Sequence, residues 1–130
     1  MIVLDASAAI DWLLQTPAGR HIENRIYARN ESLHAPHLLD LEVTQVLRRL
    51  VQRGALAANR ADQAIRDLLD LRIHRYPHFL LVTRIWQLRH NLSAYDAAYI
   101  ALAESLKGPL ITRDRRLASV TGHGATIELF

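Results

Sequence analysis

The sequence predicts an α/β fold, a three-layer α/β/α sandwich with a central parallel sheet. Short apolar segments alternate along the chain with longer amphipathic ones. A strand that returns parallel to its predecessor needs a crossover of about a dozen residues, usually a helix, so this alternation favours parallel pairing. The chain is half hydrophobic and has no internal repeat and no Pro/Gly/Ser-rich linker. We therefore expect residues 1–130 to form a single domain with its own core.

The first elements follow from residues 1–36. MIVLD is a short apolar run that ends in an acid, and SAAIDWLLQ is predicted to be a helix with Ser7 near its N-cap. SLHAP is predicted to be a second strand, and Pro36 suits the start of the next helix. The chain therefore begins as strand, helix, strand.

Residues 37–71 are predicted to form a helical hairpin. HLLDLEVTQVLRRLVQRG is amphipathic, and Gly54 at its end is a typical stop signal. Asn59, with Asp62 three residues later, predicts the capped start of a second helix that runs to about Leu71.

The C-terminal half continues the alternation. LRIHRY is predicted to be a strand that ends at Pro77, and HFLLVTRIWQLRH is predicted to be helical. SAYDAAYIALAE is predicted to be a helix that opens at Ser93 and closes at Gly108. PLIT is a strand of the buried type, and ATIELF is the final strand.

The composition limits the possible chemistry. The chain has no cysteine, which excludes disulfides, thiolate metal sites and thiol nucleophiles. The net charge is only +3, but fifteen of the sixteen basic residues are Arg, whose planar fork suits phosphate oxygens. Nucleic acid is therefore a possible partner, alongside an ordinary solvated surface. The first segment lacks a basic leader and no apolar run reaches bilayer length, so we expect a cytoplasmic protein without a membrane segment.

Four acids are predicted to gather at one edge of the sheet. Asp5 closes the first strand and Asp114 follows the fourth, and the carboxyl ends of parallel strands share an edge where ligands collect. Glu42 lies in the second turn of the helix after strand two, at the border of its apolar stripe. Asp96 lies in the first turn of the helix before strand four.

Each acid also has an ordinary structural interpretation. Asp5 could be a turn residue, Glu42 a solvated helix residue, and Asp114 a helix cap or the partner of a neighbouring arginine. Asp96 fits a capping box with Ser93. Carboxylates about 4 Å apart, however, repel by roughly 4 kcal/mol per pair at moderate dielectric, so a fold that gathers them needs a cation.

The donor atoms indicate which cation. Carboxylate-only sites suit Mg²⁺, with Mn²⁺ as a possible substitute. His34 and His37 leave zinc as an alternative, but H-x-x-H across Pro36 is an unfavourable ligand geometry. Ser7 lacks the glycines of a G-x-S-x-G elbow, and no phosphate-binding Gly-rich motif is present. An acidic metal site on an Arg-rich surface fits phosphodiester hydrolysis.

Four segments of the chain also carry a resemblance. MIVLDASAAIDWLL, the helix acid in HLLDLEV, LSAYDAAYIALAE and PLITRDRRLA resemble, in the expected order, the motifs of the PIN-domain family, in particular VapC-type toxins of bacterial toxin–antitoxin pairs. The resemblance implies a parallel α/β/α sandwich and Mg²⁺-dependent endoribonuclease activity, often on tRNA or ribosomal RNA.

The resemblance also implies residue roles. Asp5, Glu42, Asp96 and Asp114 would form an acidic quartet, with Asp5 and Asp96 as the direct metal ligands. Glu42 and Asp114 would complete the site through water or a second metal.

Several other positions are assigned around this quartet. Ser7 and Thr112 match supporting hydroxyl positions, which could hold ligands or metal-bound waters. Asp11 and Asp40 fall outside the quartet and are expected to be structural or peripheral. The candidates for contacts to RNA phosphates are the arginines near Asp114: Arg113, Arg115 and Arg116.

The resemblance further implies partners. VapC-type toxins usually form homodimers and are neutralised by an antitoxin whose C-terminal segment lies in a groove, and DNA is contacted only indirectly, through the antitoxin. The hairpin of residues 37–71 is a candidate for that groove, although its apolar residues could equally be core positions. They are Leu50, Val51, Leu56, Ile65, Leu68 and Leu69.

Two rival functions belong to other classes. In a non-catalytic protein-binding or regulatory module the acids would only cap helices, and folding would be independent of metal. A phospho-acceptor receiver domain also places acids at parallel strand ends, but Lys107 lies at the end of a helix and not after a late strand, where a receiver's lysine belongs.

Overall fold

The computed structural model describes residues 1–130 and confirms the three-layer α/β fold. Its five strands are β1 (Ile2–Leu4), β2 (Leu33–Pro36), β3 (Ile73–Tyr76), β4 (Leu110–Thr112) and β5 (Ile127–Leu129). All pair in parallel, in the order β3-β2-β1-β4-β5. Helices cover both faces: α1 (Ala6–Leu13), α2 (Pro17–Ala28), α3 (Leu38–Gln52), α4 (Ala58–Asp70), α5 (Val82–Gln87), α6 (Ala94–Leu106) and α7 (Arg115–Ser119), with a short 3₁₀ helix at His78–Leu81.

The strand order reverses at β1, and this reversal places the site. The chain builds outward from β1 through β2 to β3, and then returns to add β4 and β5 on the other side. Val3 pairs with His34 on one side and with Leu110 on the other. In open α/β sheets ligands bind outside the carboxyl ends of the strands at such a reversal. Asp5 and Asp114, which follow β1 and β4, therefore flank this position.

The core includes the central strands and the middle of helix α6. Ile2, Val3 and Leu4 are completely buried, as expected for a strand covered on both faces. Every residue of α6 from Ala97 to Ala103 is buried, which explains why its sequence is small or apolar nearly all round. None of the helices is both long and apolar enough to cross a bilayer.

Two predicted helix starts are wrong in detail. The N-cap of α1 is Asp5, two residues before Ser7, and the Asp5 side chain accepts from the Ala8 amide. Helix α4 begins after Ala57, which provides no side-chain cap, so Asn59 lies inside the first turn.

The end of α6 also differs from the prediction. Lys107, not Gly108, adopts the left-handed conformation that closes the helix, with φ of 54°. Gly108 is required for another reason, since a Cβ there would lie 2.6 Å from the carbonyl oxygen of Met1. The helix predicted after Pro77 is likewise divided, into the 3₁₀ helix at His78–Leu81 and α5. The tighter 3₁₀ turn ends at Leu81, which is buried in the core.

Helix α2 has no counterpart among the predicted elements. Its start carries a clear signal, because Thr16 accepts from the Gly19 amide at 3.0 Å and Pro17 occupies the first turn. Its buried face is small, consisting of Gly19, Ile22 and Ile26. A Cβ at Gly19 would lie 1.9 Å from the carbonyl oxygen of Asp11, so only glycine lets α2 pack this closely on α1.

Candidate active site

The four predicted acids line a single cavity of about 410 Å³ at the carboxyl edge of the sheet. Asp5 lies between β1 and α1, and Asp114 between β4 and α7. Glu42 projects from the second turn of α3, and Asp96 from the first turn of α6. The structure therefore brings together all four residues that the sequence singles out, although they are up to 109 positions apart in the chain.

Asp5 is the most constrained of the four. Its side chain is 5% exposed, and its Oδ1 accepts from the Ser7 hydroxyl at 2.7 Å and the Ala8 amide at 2.9 Å. Its Oδ2 accepts from the Thr112 hydroxyl. Burial raises the pKa of Asp5 above its usual value, and the charge of Asp114 adds to this effect, while the three hydrogen bonds oppose it.

The hydroxyls of Ser7 and Thr112 connect the ends of β1 and β4. Ser7 accepts from the Arg113 amide at 2.9 Å, and Thr112 accepts from the Asp114 amide at 3.0 Å. The two hydroxyl oxygens are 3.3 Å apart. Both residues therefore orient Asp5 and fix the loop that carries Asp114.

Glu42 is held by a tyrosine that the sequence did not single out. The Tyr99 hydroxyl donates to Glu42 Oε1 at 2.7 Å. Burial raises the pKa of Glu42, and the charges of Asp96 and Asp5 raise it further. The signal for Tyr99 was its spacing, because it follows Asp96 by three residues on α6 and so shares its face.

Asp96 and Asp114 both contact Arg116. Asp114 Oδ1 accepts from the amides of Arg116 and Leu117, at 2.9 and 3.2 Å, so Asp114 does cap α7. Of the capping box at Ser93, only one half forms, in which the Asp96 amide donates to the Ser93 hydroxyl at 3.2 Å. The Asp96 carboxylate instead accepts from Arg116 Nη2 at 3.1 Å, and the same nitrogen lies 3.6 Å from Asp114 Oδ2.

The donor set of the cavity suits a hard divalent cation. No three His, Asp or Glu side chains are arranged so that they could hold a metal ion jointly, but Mg²⁺ usually takes only one or two protein carboxylates and completes its shell with water. Asp96 Oδ1 and Glu42 Oε2 make no hydrogen bond to the protein and remain available. Four carboxylates face two guanidinium groups, those of Arg49 in the lining and of Arg116 beside Asp96 and Asp114, so the cavity has excess negative charge that a cation would neutralise.

The positions of His34 and His37 do not support the alternative of a zinc site. His34 bonds to the Ser32 and Tyr76 hydroxyls, at 2.8 and 2.6 Å, and stacks on the His74 ring. Neither His34 nor His37 lines the acidic cavity.

The three candidate arginines differ in their surroundings. Arg113 pairs with Asp11 at 2.7 Å and also donates to the Phe130 carbonyl oxygen. Arg116 pairs with the acids of the cavity. The Arg115 side chain is exposed and makes no hydrogen bond or ion pair within the chain. Asp40 is paired with Arg75 at 2.7 Å. Like Asp11, it does not line the acidic cavity.

The mouth of the cavity is formed by residues that the sequence did not single out. Tyr95 lines it from α6 and Leu41 from α3, and both are largely exposed. Arg49 is the one basic residue among those that line it. The available signal was again helical spacing, because Arg49 lies seven positions after Glu42 and so on the same face of α3.

Comparisons with known proteins found similar chains. The PIN domain model matches residues 2–122. The chain is 43% identical to Ribonuclease VapC12 of Mycobacterium tuberculosis over 129 residues, which cover 99% of this chain and 98% of that protein. It is 47% identical to Ribonuclease VapC9 of the same organism over 118 residues, or 91% of this chain and 89% of that protein.

Solved structures share the fold. The crystal structure of PAE2754 from Pyrobaculum aerophilum matches with a TM-score of 0.70 at 25% identity, covering 97% of this chain and 82% of that one. The crystal structure of Mycobacterium tuberculosis VapC20, described as a Sarcin-Ricin loop cleaving toxin, matches with a TM-score of 0.65 at 16% identity, covering 95% and 100%.

Proposed function

This chain belongs to the PIN-domain family, and from that premise we propose that it is a VapC-type endoribonuclease, the toxin of a toxin–antitoxin pair, which hydrolyses phosphodiester bonds in RNA. The observation that carries the proposal is the convergence of Asp5, Glu42, Asp96 and Asp114 on one cavity at the strand reversal. Relatives that are 43% and 47% identical over nearly the whole chain are named ribonucleases, which supports the same activity.

The metal is proposed to be Mg²⁺, with Mn²⁺ as a substitute, held by Asp5 and Asp96. Such an ion would lower the pKa of a bound water and offset charge on the phosphate. Asp5 suits the role of a fixed ligand because Ser7 and Thr112 hold its carboxylate in one orientation. Asp96 has one free carboxylate oxygen that faces no protein donor.

Glu42 and Asp114 are proposed to orient water and accept protons at the edge of the site. The Tyr99 hydroxyl fixes Glu42 Oε1 and leaves Oε2 free to contact a water molecule. The raised pKa of Glu42 makes its carboxylate a better proton acceptor than an ordinary glutamate. Asp114 Oδ1 is engaged by the α7 amides, so Oδ2 is the oxygen that can act.

A cognate antitoxin is the proposed protein partner, and a groove on the hairpin of α3 and α4 is the proposed site for it. A cavity of about 300 Å³ opens there, lined by Leu47, Val51 and Ile65. Of the six apolar residues assigned to this groove, Leu68 is a core residue and Leu69 is 70% exposed. Val51, Leu56 and Ile65 pack against the core, and Leu50 is partly buried. A homodimer, and DNA contact through the antitoxin only, are further parts of the proposal.

The alternative of a non-catalytic binding or regulatory module rests on the capping roles of Asp5 and Asp114, which are real. It does not account for Glu42, which caps no helix, is half-buried and has a raised pKa. If the acids served only as helix caps, the Glu42 charge beside Asp5 and Asp96 would have no role.

The metal requirement provides the direct test of the activity. The purified protein is incubated with total RNA in Mg²⁺, in Mn²⁺ or in EDTA, and the new RNA ends are sequenced. We expect cleavage at discrete positions with either metal and none in EDTA. Full cleavage in EDTA would contradict the proposed mechanism.

A further inference from the structure

Tyr95 is an unusual residue for the helix that carries it. From Ala97 to Ala103 every side chain of α6 is buried, but the Tyr95 ring is 66% exposed. Its hydroxyl makes no hydrogen bond within the chain, and the ring is not part of the core. The ring lines the acidic cavity one position before Asp96, and Leu41, which is 75% exposed, lines it from α3. Two apolar side chains are therefore exposed at the mouth of a charged site.

The charge of the cavity creates a problem for an RNA ligand. Four carboxylates repel a phosphate backbone, and Arg49 is the one basic side chain among the lining residues. A metal ion neutralises part of this repulsion, but it acts only on the phosphate it contacts. Beside the arginines near Asp114, which are candidates for phosphate contacts, a second source of affinity is the uncharged part of the nucleotide, the base. Every base presents a π-face that stacks on aromatic rings whatever its sequence.

We propose that Tyr95 is the stacking surface for a nucleobase next to the phosphate that is cleaved, with Leu41 as an apolar contact on the α3 side. The proposal rests on the ribonuclease function proposed above and adds a binding residue to it. Because the Tyr95 backbone precedes that of Asp96 in the first turn of α6, the base would be held at a fixed position relative to the acidic site. Tyr95 is then a substrate-positioning residue that acts through affinity and not through proton transfer.

A second exposed tyrosine provides a matched control. Tyr27 is 63% exposed, and it lines a different cavity, at the other edge of the molecule beside Leu33 and Arg72. It packs edge-on against Trp12, with ring centroids 6.3 Å apart, and has no contact with the acidic site. Removing the Tyr27 ring therefore tests whether loss of any exposed tyrosine weakens RNA binding.

The test measures binding and cleavage of a fluorescein-labelled random-sequence pool of single-stranded RNA 10-mers. Binding is followed by fluorescence anisotropy in the Asp114→Asn background with Mg²⁺ at several salt concentrations. Tyr95→Ala, Tyr95→Phe, Tyr27→Ala and Arg49→Ala are compared, and melting curves verify folding. Cleavage of the same pool is measured without the Asp114 substitution, so that KM and kcat are separated.

We expect Tyr95→Ala to weaken binding and raise KM about tenfold with little change in kcat, because one stacking contact is lost. Tyr95→Phe retains most of the affinity, since it keeps the ring. The slope of log affinity against log salt stays the same in Tyr95→Ala, because the ring carries no charge, whereas Arg49→Ala makes it shallower.

Parental affinity in Tyr95→Ala, or an equal loss in Tyr27→Ala, would overturn the assignment while leaving the ribonuclease function intact. An equal loss in Tyr95→Phe would also overturn it, because the hydroxyl and not the ring would then be the binding group. If the parent protein neither binds the pool nor cleaves total RNA in Mg²⁺, the proposed function itself fails, and the role of Tyr95 fails with it.

Discussion

Arg116 Nη2 lies 3.1 Å from Asp96 Oδ2, so a cation supplied by the chain already contacts the carboxylate proposed as a metal ligand. The same nitrogen is 3.6 Å from Asp114 Oδ2. The Arg116 side chain is 73% exposed, and ion pairs of this kind contribute little to stability. The pair therefore reduces repulsion between two acids in the metal-free protein without being strong enough to exclude a divalent ion.

Replacing Arg116 by Gln should strengthen metal binding. The substitution removes the cation that competes for Asp96, so we expect the Kd for Mg²⁺ to fall by about twofold to fivefold, the range set by an exposed ion pair. The metal-free variant should melt slightly lower than the parent. Calorimetric titration with MgCl₂ and thermal melting in EDTA measure the two effects.

Arg20→Gln, which removes an exposed arginine of α2, is the control and should change neither the Kd for Mg²⁺ nor the melting temperature. Unchanged or weaker Mg²⁺ binding in Arg116→Gln would show that Arg116 does not compete for the site.

The arginines near Asp114 should differ in how they affect RNA binding. Arg115 has no partner within the chain, so Arg115→Ala should weaken binding across all sequences and reduce the salt slope by about one, without moving the cleavage position. Replacing Arg113, Arg115 and Arg116 together should reduce the slope further. Because Arg113 also pairs with Asp11 and donates to the Phe130 carbonyl, Arg113→Ala should lower the melting temperature as well.

Filter binding of RNA at several salt concentrations measures these slopes, with Arg20→Ala as the matched control. If the triple variant has the parental RNA affinity and salt slope, none of the three arginines contacts RNA.

The buried His34 should make the protein less stable in mild acid. Burial lowers the pKa of His34 below its usual value of 6.5, and the neighbouring His74 and the N-terminal amine lower it further. The unfolded chain therefore binds a proton at a higher pH than the folded chain does. The stability that neutral His34 contributes is complete above about pH 6.5 and is lost as the pH falls toward the folded pKa.

Urea unfolding between pH 8 and pH 5 measures this dependence. We expect His34→Gln to reduce the pH dependence of the free energy of unfolding between pH 7 and pH 5. The variant is also less stable overall, because the contacts to the Ser32 and Tyr76 hydroxyls change. His90→Gln, at an exposed position, should retain the parental pH dependence. Identical pH profiles for His34→Gln and the parent would contradict the lowered pKa.

The acids that follow strands could be predicted from the sequence, because parallel strands end at a common edge. For Asp5 and Asp114 it was enough to recognise two short apolar runs and the acids that follow them. The contacts of Tyr99 to Glu42 and of Arg116 to Asp96 could not be predicted in this way, because they depend on how α3, α6 and α7 pack together.

The ends of helices were harder to predict where two neighbouring residues could each form the cap. Asp5 and Ser7 are both good N-caps, and only the end of β1 selects Asp5. At the end of α6, Gly108 has the expected residue type, but Lys107 adopts the left-handed conformation, and Gly108 permits close approach to Met1. Helix α2 was missed because one of its three buried positions is Gly19, whose importance lies in backbone packing and not in hydropathy.

Substituting Asp96 by Asn tests the central claim most directly. The only capping contact at this position is donated by the Asp96 backbone amide, so Asn leaves it in place. The substitution removes one charge from the acidic cavity and relieves its repulsion with the other carboxylates. Asp40→Asn is the matched control, because it makes the same change on α3 outside the cavity.

The measurement is thermal melting with and without Mg²⁺, paired with RNA cleavage, for the parent, Asp96→Asn and Asp40→Asn. A divalent metal site predicts that Mg²⁺ raises the melting temperature of the parent and of Asp40→Asn, and that both cleave RNA. Asp96→Asn should fold, show no rise with Mg²⁺ and fail to cleave. An Asp96→Asn variant that responds to Mg²⁺ and cleaves RNA like the parent would contradict the claim that these carboxylates form the metal site of a ribonuclease.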